Sequence, residues 1–182
     1  MAQGSSCERF GLDFQGRPGL SPLVIAAQRG DTRAFRELMQ DYDAMVMRVA
    51  LMLTSSQAAA QQIYCRVFRE AFVSVKQVDS SSSVFIWLYR ILVKHCLEYC
   101  RRRRSARPSY TEADSSPKSP SALLATLPPT EHMVLLLRHF QNLKVKTLAE
   151  VFNCPPEFIV KALQDATNRL RRQLKPALRQ AA

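Results

Sequence analysis

The sequence predicts an all-α chain of two basic helical domains joined by a flexible linker. Three observations predict it. Apolar residues recur every three or four positions in both halves, and no stretch alternates with period two for long enough to make a strand. A charge-neutral stretch rich in Ser and Pro separates the halves. The second half carries the spacing and turn residues of a helix-turn-helix.

The first domain spans residues 21–104. Ser21-Pro22 opens a short helix through Gln28, with proline in the first turn and Gly30 as the stop. Asp31 is placed to cap the next helix, where Phe35, Leu38, Tyr42, Met45, Val49 and Met52 form one apolar stripe. A polar break at Thr54-Ser55-Ser56 precedes a third helix from Gln57 to Val75, with Ile63, Val67, Phe68, Ala71 and Phe72 expected inward. The run Ser80–Ser83 reads as a loop and capping site for a fourth helix that ends in Arg101–Arg104, where cations suit the helix dipole. From Val84 to Val93 that helix carries one charge, Arg90. A helix apolar nearly all round is buried on several sides or offers a face to a partner, and burial is the stronger reading.

Residues 105–126 form the linker, with little to bury. The second domain, 127–178, opens at Leu127-Pro128-Pro129 with a helix from Thr130 to Phe140, and Asn142 marks a turn. In VKTLAEVFNCPPEFIVKAL (145–163), Ala149 is the small residue at the close approach of two helices. Asn153 falls four later, where a left-handed residue is wanted. Leu148, Phe152, Cys154, Ile159 and Leu163 sit at buried offsets, and Pro155 and Pro156 fit a first turn. The second helix carries Lys161, Arg169, Arg171 and Arg172.

Composition bounds the function. The chain has 182 residues and 26 Lys plus Arg against 15 Asp plus Glu, a net charge of +11. The excess is split +6 in residues 1–104, zero in 105–126 and +5 in 127–182. That balance points to a polyanionic partner, nucleic acid before a membrane surface. No apolar run reaches about 18 residues, so no membrane insertion is expected. The first ten residues lack the apolar core of a secretory signal, and five cysteines without regular spacing read as free thiols, so the expected location is cytoplasmic. His95, Cys96 and Cys100 lack further paired ligands and read as core rather than a zinc site. Glu131, His132 and Asp165 complete no nucleophile–base–orienter set, and no glycine-rich phosphate loop is present. No cofactor, no metal and no enzymatic activity are expected.

The run FIWLYRILVKHCLEYCRRRR (Phe85–Arg104) resembles the signature helix of sigma-70 family factors of the extracytoplasmic-function group. LPPTEHMVLLLRHFQNLKVKTLAEVFNCPPEFIVKALQDATNRLRRQL (Leu127–Leu174) resembles the same group's C-terminal promoter-reading domain, and Arg29–Tyr42 and Arg66–Phe72 fit the earlier helices. The resemblance covers about Leu23–Arg104 and Leu127–Leu174. It implies a first domain that grips the clamp of core RNA polymerase and captures flipped bases of the minus-ten element. Lys76, Phe85, Trp87 and Arg90 are the candidate contacts, because a flipped base needs stacking or cationic partners. Trp87, inside an apolar helix, reads more readily as core. Arg101 and Arg102 are placed to track phosphates, and Lys161, Arg169 and Arg172 to touch promoter DNA at the minus-thirty-five element.

The sequence departs from the family pattern where relatives carry acidic residues for the clamp. Ala59, Gln62, Cys65, Arg66 and Phe68 stand there, which removes carboxylates and reverses one charge. Gln62, Tyr64, Cys65 and Arg66 are the residues left for polymerase, with Tyr64 the expected exposed anchor. The resemblance therefore implies a sigma-like initiation factor with core polymerase and promoter DNA as partners, and leaves room for an anti-sigma factor. Two alternatives stand beside it: a diverged sigma-fold protein that binds a regulatory partner, and an unrelated helix-turn-helix DNA-binding regulator.

Overall fold

A computed structural model describes residues 22–78, 83–105, 123–124 and 126–180. Among the described residues there are seven α-helices and no strand: α1 (Pro22–Gln28), α2 (Thr32–Thr54), α3 (Gln57–Ser74), α4 (Val84–Ser105), α5 (Pro129–Phe140), α6 (Val145–Phe152) and α7 (Pro156–Gln180). One 3-10 turn, Val75–Gln77, follows α3.

The helix boundaries have local chemical causes. Gly30 takes φ 95°, a left-handed value that stops α1. The Asp31 carboxylate accepts from the Arg33 and Ala34 amides at 2.8 and 3.1 Å, satisfying two donors that an N-terminus leaves unpaired. Ser55 turns left-handed after α2, and Ser56 caps α3 by accepting from the Ala59 amide. Gln28 reaches from α1 to the Val75 carbonyl at 3.2 Å and also to that of Val78, so the first helix closes the end of the bundle beyond α3.

Two expectations in the first half need correction. Phe72 does not point inward. It is 44% exposed and meets Phe35 edge to face at 5.1 Å on the rim between α2 and α3. The α2 stripe is also broader than expected, since Met39, Val46, Ala50 and Leu53 are buried beside Tyr42, Met45 and Val49. A helix covered on two sides buries a wider arc than a surface helix does.

The apolar fourth helix is covered as its composition requires. Leu88, Tyr89, Ile91, Leu92, Val93 and Cys96 are all buried, an arc of about 200° at 100° per residue. Its neighbours are α2 and α3 on one side and α5 and α6 on the other. Residues from both halves of the chain thus share one apolar cluster, which runs from Met39 and Tyr42 through Leu88 and Leu92 to Met133, Leu137, Leu148 and Ile159. Most of the expected linker, 106–122, lies outside the described residues, as do 80–82 of the Ser80–Ser83 loop.

Candidate functional site

The second half builds a helix-turn-helix from α6 and α7. Asn153 ends α6 with φ 51° and ψ 51°, and its amide donates back to the Ala149 and Glu150 carbonyls. The Cys154 amide adds a bond to Ala149 at 3.0 Å. Asparagine tolerates this left-handed geometry better than most side chains, which is why the turn falls here. Ala149, 6% exposed, lets the helices approach, and Ile159 and Ala166 seat α7 on the core.

Seating α7 on Ile159 and Ala166 aims its opposite face at solvent. Glu157, Lys161, Gln164 and Asn168 are all exposed, and their spacing of four, three and four residues keeps them on one stripe. Arg171 and Arg172 continue it, and Gln164, Thr167, Asn168 and Arg171 line a shallow depression along it. Lysine, glutamine, asparagine and glutamate are the side chains that pair with base edges in a major groove. Gln164 and Asn168 were missed by the sequence reading. The signal was present in their offsets from Ile159 and Ala166.

The other expected nucleic-acid residues are placed unequally. Lys161 and Arg172 are exposed on the open stripe. Arg169 turns back toward α5 and pairs with Glu131 at 3.1 Å, so in this arrangement it fastens α7 to α5. Lys76, in the 3-10 turn, and Arg101 and Arg102, at the end of α4, are exposed, while the neighbouring Arg103 donates to the Thr54 carbonyl. Phe85 and Trp87 are half-buried against the shared cluster, with the Phe85 ring tilted against Tyr89 at 4.4 Å. Arg90 is engaged. Its Nε and Nη2 donate to the Glu150 carbonyl at 3.0 and 2.9 Å, at the negative end of the α6 dipole. Tyr89 adds a long bond to Gln141 at 3.4 Å.

The outward face of α3 carries the residues expected to meet polymerase. Gln62 and Cys65 are exposed, and Arg66 is half-buried. Tyr64, the expected anchor, is half-buried and engaged. Its ring packs on Phe68 at 4.6 Å, and its hydroxyl donates to the Asp43 carboxylate on α2. Burial and Asp43 push that hydroxyl up to about 12. Glu70, the sole carboxylate in α3, is committed to α4: Lys94 donates to it at 2.9 Å and His95 Nε2 lies 2.8 Å away. Cys96 is sealed in the core, where burial pushes its thiol up. Among the described residues no group of three His, Cys, Asp or Glu could hold a metal ion.

No protein-family model matches the chain. In sequence it is 24% identical over 184 residues to the RNA polymerase sigma-H factor of Pseudomonas aeruginosa, a match that covers 87% of this chain and 95% of that protein. In sequence the chain is thus similar to a sigma factor. Two solved structures share the fold of this sigma-like chain at 16% identity. CnrH in complex with the cytosolic domain of CnrY matches with TM-score 0.64 over 85% of this chain and 96% of that one. The sigma factor RpoE in complex with the anti-sigma factor NepR from Bartonella quintana matches with TM-score 0.61 over 79% and 98%. Among the described residues of the sigma-like chain no helix is long and apolar enough to cross a membrane.

Proposed function

We propose that this sigma-like chain is a transcription initiation factor that acts in the cytoplasm, binds core RNA polymerase at its clamp and directs it to promoter DNA. The open hydrogen-bonding stripe on α7 supports the reading, because it sits on the second helix of a helix-turn-helix in a chain of net charge +11. Lys161 and Arg172 serve phosphates or base edges of the minus-thirty-five element, and Lys76, Phe85, Trp87 and Arg90 serve the minus-ten element. The present packing holds Arg90 on Glu150, so its use on DNA requires α4 and α6 to part. The test is a pull-down of core polymerase followed by promoter-dependent run-off transcription. Transcript from the full chain plus core supports the reading, and no detectable binding to core overturns it.

A second reading has its own observation. The α3 surface offers Gln62, Cys65, Arg66 and Arg69, and its one carboxylate is occupied by Lys94 and His95. A face without available acid suits a regulatory partner such as an anti-sigma factor, and one of the related structures, RpoE with NepR, is of such a complex. Arg66→Glu separates the two. If core polymerase is the partner, the added carboxylate strengthens binding or leaves it unharmed; if an acidic regulator is, the same change weakens capture of that regulator.

A further inference from the structure

In the first turns of the open helix two large apolar side chains stand without serving the core. Phe158 is 64% exposed and Val160 42%. Neither belongs to an apolar cluster of the described residues; the inward place in that turn is filled by Ile159, 2% exposed. At 100° per residue Phe158 and Val160 lie about 160° apart, one on each flank of the outward stripe. Glu157 and Lys161 stand between them, and Arg171 and Arg172 follow on the same exposed face.

This arrangement selects one occupant. A groove in another protein that took the two flanks would also have to cover Lys161 and Glu157 between them. A DNA major groove takes the polar stripe against its base edges and the following cations on its phosphates, and base edges on either side of the stripe meet the two flanks. The first turns of the second helix of such a motif are the part that reaches base edges. In that groove one base carries an apolar group, the C5-methyl of thymine.

We propose that Phe158 and Val160 are specificity determinants that contact thymine methyl groups on the two sides of the α7 recognition helix. The inference rests on the promoter-binding reading above. It assigns discrimination to apolar contact at the flanks, with Lys161, Gln164 and Asn168 supplying polar contact between them.

The experiment uses the full chain. Duplexes preferred from a random library are synthesised again with uracil in place of each thymine in turn, which removes only the methyl group. Binding is expected to weaken about fourfold at one or more positions, the effect of one buried methyl-sized group. Phe158→Ala and Val160→Ala are expected to abolish that thymine–uracil difference, each at its own position, while circular dichroism shows unchanged helicity. Lys161→Ala is expected to weaken binding to both duplexes and to leave the difference intact. Equal affinity for thymine and uracil at every position overturns the proposal and leaves promoter binding standing. Absence of DNA binding at any salt concentration overturns promoter binding itself, and this inference with it. If Phe158→Ala spares DNA and abolishes core polymerase binding, the flanks belong to a protein contact and the proposal is wrong.

Discussion

α4 and α7 are both long helices of 22 and 25 residues, and both carry cationic side chains, yet they use them differently. α4 buries an arc of about 200°, and three of the cations along it are tied to other elements: Arg90 to the α6 terminus, Lys94 to Glu70 and Arg103 to the Thr54 carbonyl. α7 buries a narrow stripe at Ile159 and Ala166 and presents Lys161, Arg171 and Arg172 to solvent. The difference shows that net charge does not locate a binding face. What locates it is which cations the packing leaves uncommitted. In this arrangement the outward stripe of α7 in the second half is open, while the Arg90 side of the first half is held by intramolecular bonds.

The comparison breaks most visibly at Tyr89. This residue is 1% exposed, in the cluster shared by both halves. Tyr89→Ala is expected to cost about 3–5 kcal/mol in urea unfolding, the range for aromatic truncation in a core. Lys161→Ala on the open helix is expected to stay within about 0.5 kcal/mol. Limited proteolysis in the Ser/Pro-rich segment 106–122 extends the test. Two helical fragments that co-elute are expected, because the apolar cluster spans both halves; a single protected core that no protease divides would contradict the two-domain reading.

Arg90 comes next. Removing its guanidinium takes away two hydrogen bonds to Glu150, and a hydrogen bond to a charged group contributes about 1.5–3 kcal/mol when well buried. Arg90 is exposed, so Arg90→Ala is expected to loosen the contact by about 1 kcal/mol. Small-angle scattering is the measurement, with a larger radius of gyration as the expected result and an unchanged one as evidence that apolar packing alone holds the halves.

Arg172 sharpens the other side of the comparison. As an exposed cation on the open stripe it is expected to neutralise about one phosphate. Arg172→Ala should weaken DNA binding about equally across sequences and lower the slope of log affinity against log salt by about one. Arg169→Ala should instead lower stability, since Arg169 is paired with Glu131. A salt slope unchanged by Arg172→Ala would remove that residue from the interface.

These contrasts also mark what could be read in advance. Helix boundaries were legible because their causes are local: Gly30, Asp31, Ser56 and Asn153 each act on their own backbone or within three or four residues. The burial of α4 was legible from an apolar surface too wide for one neighbour. Which elements cover it was not, because Tyr89 meeting Gln141 across 52 residues leaves no trace in periodicity. The same limit misplaced Phe72 and hid the contacts of Tyr64 with Asp43 and of Arg169 with Glu131 on other helices. Gln164 and Asn168 were overlooked because neither carries charge, although their helical offset from Ile159 already placed them outward.

The smallest effect lies at Glu70, and its pH dependence has a definite sign. Burial works to raise this carboxyl, but the hydrogen bond and charge of Lys94, with the help of His95, more than offset it, so the group is held below its ordinary value. A carboxylate lowered on folding stabilises the fold above its unfolded pKa, about 4.3, and that contribution is lost as pH falls through the lower folded value. Wild type and Glu70→Gln are therefore expected to differ at neutral pH and to converge on the acid side of pH 4. The difference should be about 1 kcal/mol or less, because Glu70 and Lys94 are both partly exposed. In a chain of this size that is a melting-temperature change of about 2–4 °C per kcal/mol. Gln164→Ala on the open helix removes a side chain that does not titrate, so its small effect should be the same at every pH. A Glu70→Gln difference that persists at pH 3 would mean that the carboxylate is not what joins α3 to α4. Convergence there, with separation above pH 5, assigns the joint to charge: Lys94 on the covered helix would then be held by pairing, while Lys161, Arg171 and Arg172 of α7 stay open to solvent.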